Sequence, residues 1–397
     1  MTPSRVLLIK GVSRYDVLRD FIDAVGEAFR ARDIEPVVLD STPLKTHDEI
    51  FRALKGVGPV DMAFTFYIFG HYVDPQRRTL GEIIGAPVVV QYVDYPLSLR
   101  EALDNTDSAT AILTVDPSHG EAIQKLYGPR RFAHLGFNPH AGTGEAFALP
   151  ASAAQFAAER PIPIFFSGTY YRPVDPPWKD FPANIRRVFD EAADYAVSQE
   201  FVPALDALDA TLKRMGLDPN LPDPSIRQVR FLADKVHEWV RALRRYRFFE
   251  AAAKVGLPLT VTGSGYDDDL PRFPNIDYRG ICGFHDAIRL MQQSRMVINI
   301  NANFGRGSHE RPFTAMLAGA VAASDHSSYY ADQFDAGQEM MLFRWQHLEQ
   351  DLAGLRDLAE NSARLWQIAQ AGQDKTSRNH RWANRIDAII SAASDGR

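Results

Sequence analysis

Three stretches of this chain carry groups suited to holding anionic oxygens. Gly305-Arg306-Gly307-Ser308-His309-Glu310-Arg311-Pro312 runs into an apolar segment that reads as a helix, with Pro312 as its first residue and Phe313 and Thr314 in its first turn. The first amides of a helix lack intrahelical partners and lie at the positive end of its dipole, which suits a phosphate. Gly305 and Gly307 would let the backbone approach a ligand, and Ser308, His309 and Arg311 would add side-chain donors. The same segment also reads as an ordinary glycine loop leading into a helix cap. Asn299, Asn301 and Asn303 alternate just before it. Gly168-Thr169 and Gly263-Ser264-Gly265 each follow a strand-like run, although the second lacks the third glycine of a dinucleotide fingerprint.

A different chemistry is suggested by His71, by Asp94 in Asp94-Tyr95-Pro96, and by Asp116 in Asp116-Pro117-Ser118-His119. A general base is a carboxylate or imidazole facing the hydroxyl that reacts, so these three are the candidates for that role. Each has a structural alternative. Asp116-Pro-Ser is a good helix cap, Asp94 precedes a turn proline, and His71 follows an aromatic strand. Four arginines at 241, 244, 245 and 247 share one helical segment, where they form either a solvated face or a grip on an acidic acceptor. No spacing of metal-ligand type is present, and Asp267-Asp268-Asp269 reads as a solvated loop.

The elements that must position these groups alternate between strand and helix. Strands are expected at 6–9, 36–39, 62–66, 88–92, 111–115 and 131–135, with an amphipathic helix at 17–30 and further helices between the later strands. Small residues from 141 to 158 then read as a linker. A second series follows, with strands at 162–166, 259–262, 276–278, 296–300 and 320–324, a helix at 241–254, and a helical tail from 348. The pattern predicts an α/β fold of two Rossmann-like domains, each with a parallel sheet, facing a cleft. The expected divisions are 1–155, 156–375 with a Pro-punctuated helical insertion at about 175–235, and 376–397 as a C-terminal helix packing back on the first domain.

Composition narrows the partners. Fifty acidic against 44 basic residues give a net charge of −6, which speaks against a nucleic-acid binder. The single cysteine, Cys282, forms no internal disulfide, and no apolar run approaches the ~20 residues of a membrane span. A soluble, cytoplasmic protein is expected.

The ordered series Phe166-Ser167-Gly168-Thr169-Tyr170-Tyr171-Arg172, Val261-Thr262-Gly263-Ser264-Gly265, Tyr278-Arg279-Gly280, Met296–Asn301 and Arg311-Pro312-Phe313-Thr314-Ala315-Met316-Leu317-Ala318-Gly319-Ala320 resembles the nucleotide-sugar half of GT-B glycosyltransferases. Within these it looks like the bacterial CgeB-like branch of group 1. Asn379-His380-Arg381-Trp382-Ala383-Asn384-Arg385 resembles the family's last helix. The resemblance implies that Gly168 and Arg172 lie near a diphosphate, and that Gly263, Ser264, Gly265 and Tyr266 flank the nucleotide. It further implies that Arg279, Gly280 and Ile281 hold the base, and that residues from His309 to Thr314, Glu310 among them, hold the diphosphate and ribose. Retaining members often carry glutamates where Arg306 and Thr314 stand here, so the stereochemistry stays open. The implied activity is a hexosyltransferase-like enzyme that moves a sugar from a nucleoside-diphosphate sugar, UDP-linked or other, to an acceptor hydroxyl on a protein, glycan or small molecule. It would use no metal and no other cofactor. A nucleotide-sugar epimerase of the same fold and a non-catalytic nucleotide-sugar-binding assembly protein are the alternatives.

Overall fold

The computed structural model describes residues 2–13, 16–67, 69–301 and 304–395. Contacts divide the chain into two units, Met1–Thr143 with Asn379–Arg397, and Gly144–Arg378.

In the first unit the strands are β1 (Arg5–Lys10), β2 (Glu35–Asp40), β3 (Met62–Phe66), β4 (Val88–Tyr92), β5 (Ala111–Thr114) and β6 (His134–Phe137). They form one parallel sheet in the order β2-β1-β3-β4-β5-β6. Central strands such as Val88-Val89-Val90 are buried throughout, as a sheet covered by helices on both faces requires. The helix Val17–Arg30 turns Phe21, Ile22, Val25 and Phe29 inward at helical spacing. The segment after Asn379 closes this core. Trp382 packs against Phe21 and Phe66 at centroid distances of 5.5 and 5.7 Å, and the helix Ile386–Asp395 lies on β4, β5 and β6.

The second unit contains β7 (Ile162–Ser167), β8 (Leu259–Thr262), β9 (Ile276–Tyr278), β10 (Ser294–Asn299), β11 (Val321–Asp325) and β12 (Met341–Phe343), all parallel, in the order β12-β11-β10-β7-β8-β9. Its main core lies between one face of this sheet and the helices Ala233–Val255, Leu348–Ala359 and Ser362–Asn379. Ile164, Phe166, Phe248, Phe249, Val261, Ile298, Leu352 and Leu365 are buried there. Phe165, Met291, Val297 and Ala315 fill the other face.

Several elements differ from the sequence expectation. The stretch read as a linker contains the helix Ala153–Glu159, capped by the Ser152 hydroxyl, with Phe156 fully buried. The helix expected at 241–254 begins at Ala233 and runs 23 residues, because the helices Ala183–Ser198, Ala204–Arg214 and Pro224–Phe231 of the insertion supply a core for its first turns. β12, three residues at the edge of the sheet, was not among the expected strands.

Candidate functional site

In the second sheet the chain leaves β7, adds β8 and β9 on one side, and returns to place β10 on the other. The loops after β7 and β10 therefore diverge, and that switch point is where open α/β sheets bind ligands.

The loop after β7 is held by glycines. The Gly168 amide donates to the Thr262 carbonyl at 2.9 Å, and the Tyr170 amide to the Ser264 carbonyl at 2.9 Å. Gly263 and Gly265 have φ of 133° and 90°, in the region that favours glycine. A Cβ on Gly263 would lie 2.1 Å from the Gly168 carbonyl oxygen, and one on Gly265 would lie 2.2 Å from that of Tyr170. The Gly263 amide also donates to the Gly280 carbonyl at 2.9 Å, so the structure brings Gly168, Gly263, Ser264, Gly265 and Gly280 together.

Tyr266 has a different place. Its ring is buried against Tyr170, and its hydroxyl donates to the Gly168 carbonyl at 2.8 Å. It props the loop rather than presenting a face to a ligand. Arg172 is half-exposed and directed to Asp269, 3.5 Å away, and Asp269 also accepts a 2.8 Å bond from the Tyr170 hydroxyl. Arg279 pairs with Asp277 at 2.9 Å. Ile281 is 61% exposed, and neither its amide nor its carbonyl has a partner among the described residues, which suits recognition of a flat ring through backbone and apolar contact.

After β10, asparagines orient a guanidinium. Arg311 Nη1 donates to Asn299 Oδ1 at 2.8 Å, while Asn299 Nδ2 donates to the Ser324 hydroxyl at 3.0 Å. Asn301 is buried, with its amide on Asp325 and its Nδ2 donating to the Phe304 carbonyl at 3.0 Å. Asn303 lies outside the described residues. The helix here is Glu310–Leu317, with His309 as its cap. Pro312 is thus third in the helix and not first, still within the first turn where its missing N–H leaves no bond unmade. The Arg311 amide, expected to be open to an anion, donates to His309 Nδ1 at 3.3 Å. His309 also contacts the Glu310 carboxylate, and its own amide donates to the Tyr330 hydroxyl at 2.8 Å. Ser308, Glu310, Pro312, Phe313 and Thr314 are buried, and Phe313 packs with Tyr330 and Phe334 in the core. Their side chains hold the helix; of this stretch Arg311 and His309 stay partly open.

Sequence reasoning underrated the arginines of the helix Ala233–Val255. Arg244 is buried and donates to the Ala196, Gln199 and Glu200 carbonyls at 3.2, 3.0 and 2.8 Å, tying the end of an insertion helix in place. Arg245 donates to the Thr169 carbonyl just past β7. Burial lowers its pKa to about 10, and the charges of Arg241 and Arg311 push the same way, so it remains cationic at neutral pH. A signal existed. Arg245 stands three and four residues before Phe248 and Phe249, on the face that enters the core.

The first unit's candidates separate. Asp116 is fully buried and caps the helix Pro117–Tyr127, accepting from the Ser118 amide at 2.8 Å and the Ser118 hydroxyl at 2.6 Å. A buried cap presents no base to a substrate, so the expectation for Asp116 does not hold. Asp94 is exposed, two residues past β4, and hydrogen-bonds the Tyr67 phenol, whose pKa is pushed up to about 12 by burial and by this carboxylate. His71 sits in the turn after Gly70, with its Nδ1 buried and without a partner among the described residues.

Comparisons with known proteins extend this picture. A family model described as glycosyl transferase-like matches residues 244–391. Among solved structures, HepE from Anabaena in complex with UDP and glucose is 11% identical, with 97% of this chain and 98% of that chain covered and a TM-score of 0.50. T4 phage BGT in complex with its UDP-glucose substrate is 9% identical, at 97% and 99% coverage and TM-score 0.50. The fold is GT-B. Sucrose-phosphate synthase from Thermosynechococcus elongatus is 10% identical, at 98% and 96% coverage and the same TM-score of 0.50. A search of curated protein sequences finds no match. The GT-B fold accounts for both six-stranded sheets and for their helical covering. Among the described residues no helix is long and apolar enough to cross a membrane.

Proposed function

We propose that this chain is a glycosyltransferase that moves a sugar, of the hexose class, from a nucleoside diphosphate to an acceptor hydroxyl, and that it belongs to the CgeB-like branch. The observation that carries this reading is Arg311, held by Asn299 at the β7/β10 switch point and inside the segment matched by the glycosyl transferase-like model. The ligands of the structurally similar proteins, UDP and UDP-glucose, support a uridine nucleotide as the first donor to try.

In the reaction, the acceptor oxygen forms a bond to the anomeric carbon as the bond from that carbon to the diphosphate breaks. The leaving diphosphate gathers negative charge, and fixed cations aimed at it lower the barrier. Arg311 supplies one, and His309 a neighbouring donor. The proton leaving the acceptor goes to a base of the first unit. Asp94 is the leading choice because it is exposed and oriented by Tyr67, and His71 is the second. In this reading neither a metal nor any other cofactor takes part, and the reaction is cytoplasmic.

Titration calorimetry with UDP, GDP, dTDP and CMP tests the donor site. Replacing Arg311 with Ala removes a charge-assisted hydrogen bond, so affinity should fall by about 1.5–3 kcal/mol. Failure of every nucleoside diphosphate to bind sinks the reading. Isomerisation of the donor sugar without acceptor would instead make the chain an epimerase, and binding without turnover would make it an assembly protein.

A further inference from the structure

Three guanidiniums converge on the β7/β10 switch point without a carboxylate among them. Arg245 reaches it through the Thr169 carbonyl and Arg311 through Asn299. Arg241, one turn before Arg245, lies over the exposed ring of Tyr171, 5.7 Å from its centroid. None of the three has an ion pair among the described residues, and the Nε atoms of Arg241 and Arg245 are buried with no hydrogen-bond partner. Arg172, which the resemblance implies lies near a diphosphate, is directed to Asp269.

We propose that Arg241 and Arg245, from the helix Ala233–Val255, join Arg311 as the seat of the donor's diphosphate, taking the role that the resemblance implies for Arg172. This rests on the donor reading above. Like charges brought together in a half-buried site repel, and the repulsion is strongest where water is scarce. A site of this kind is relieved by an anion carrying more than one charge. A diphosphate carries negative charge on each phosphorus and gains more when the sugar leaves. The guanidinium fork matches pairs of phosphate oxygens. The electrostatics agree with the geometry, since the fixed charges that bear on Arg245 are those of Arg241 and Arg311, with no carboxylate beside them. The insertion enters the argument too. Its helices support the first turns of Ala233–Val255, and Arg241 stands on the stretch so supported.

The test is titration of the full chain with UDP, with GDP and with inorganic pyrophosphate, repeated on Arg241→Gln, Arg245→Gln and Arg245→Lys. Arg247→Gln, an exposed neighbour on the same helix, serves as control. Arg241→Gln and Arg245→Gln should each weaken UDP or GDP at least tenfold, Arg245→Lys should weaken it less, and Arg247→Gln should leave it unchanged. Pyrophosphate should compete with the nucleotide. Arg245→Gln also removes a backbone bond, so its fold is checked by circular dichroism. Arg241→Gln removes no such bond and carries the test if Arg245→Gln fails to fold. If the wild type binds a nucleoside diphosphate and Arg241→Gln and every folded Arg245 variant bind it equally well, the arginine seat is overturned while the donor reading stands. If the wild type binds pyrophosphate alone, and Arg241→Gln weakens that binding, the seat stands and the donor reading falls. Binding of none of the three probes overturns both.

Discussion

At the scale of single residues, the site depends on backbone that only glycine can supply. Gly263 combines a φ of 133° with a carbonyl oxygen where its Cβ would go. The obstruction is main chain, so no side chain can swing aside. Gly263→Ala should cost about 1–3 kcal/mol in backbone strain alone. It should also loosen nucleotide binding, because Gly168 must move. Gly354 offers the contrast. It is exposed in the middle of the helix Leu348–Ala359, with nothing within 4 Å of its Cβ position. Gly354→Ala should stabilise by roughly 1 kcal/mol through helix propensity. Urea denaturation of the two variants checks both signs. Equal effects would show that Gly263 is not under the constraint described.

At the scale of elements, the insertion and the loop before Arg311 are fitted to each other. Phe201, between two insertion helices, lies across Gly305, where an added Cβ would fall 2.0 Å from its ring. Gly305→Ala alone should destabilise and displace the loop. Phe201→Ala alone removes a half-buried ring and costs less than the ~3–5 kcal/mol of a fully buried one. Together they should cost less than their sum, because each relieves the other's misfit. A double-mutant cycle by denaturation measures this, and strict additivity would refute the contact. Such fits explain what the sequence did and did not reveal. The alternating elements were legible because strand and helix periods differ, and so were the glycine loops, because Gly263-Ser264-Gly265 follows an apolar run. Arg245 was not, since an arginine cluster on a helix usually marks a solvated face and only Phe248 and Phe249 hint otherwise. Asp116 was read both as cap and as base; burial, which no local spacing encodes, makes it the cap.

At the scale of the whole molecule, the first unit is not a single run of chain. Its core is completed by residues that come after the entire second unit. Trp382 is almost wholly buried against Phe21 and Phe66, and its indole N–H reaches the Thr143 hydroxyl at 3.3 Å. Ile386 and Ile389 are fully buried beyond it, and the buried Arg385 guanidinium donates to the Pro139 and His140 carbonyls at 3.1 and 3.0 Å. The sequence hinted at this return only through the resemblance of Asn379–Arg385 to a last helix, because nothing local says which sheet a terminal helix covers. Removing the indole leaves a cavity between two phenylalanines. Trp382→Ala should cost about 3–5 kcal/mol, typical of a large buried aromatic. The cost belongs to the first unit's core, so hydrogen exchange should rise in β1, β3 and the helix Val17–Arg30. Amides of β7 and β10 should keep their protection, and added nucleotide should protect the loops after them as in the wild type. Equal loss of protection in both sheets would show that the two cores unfold as one, and that the C-terminal segment holds more than the first sheet.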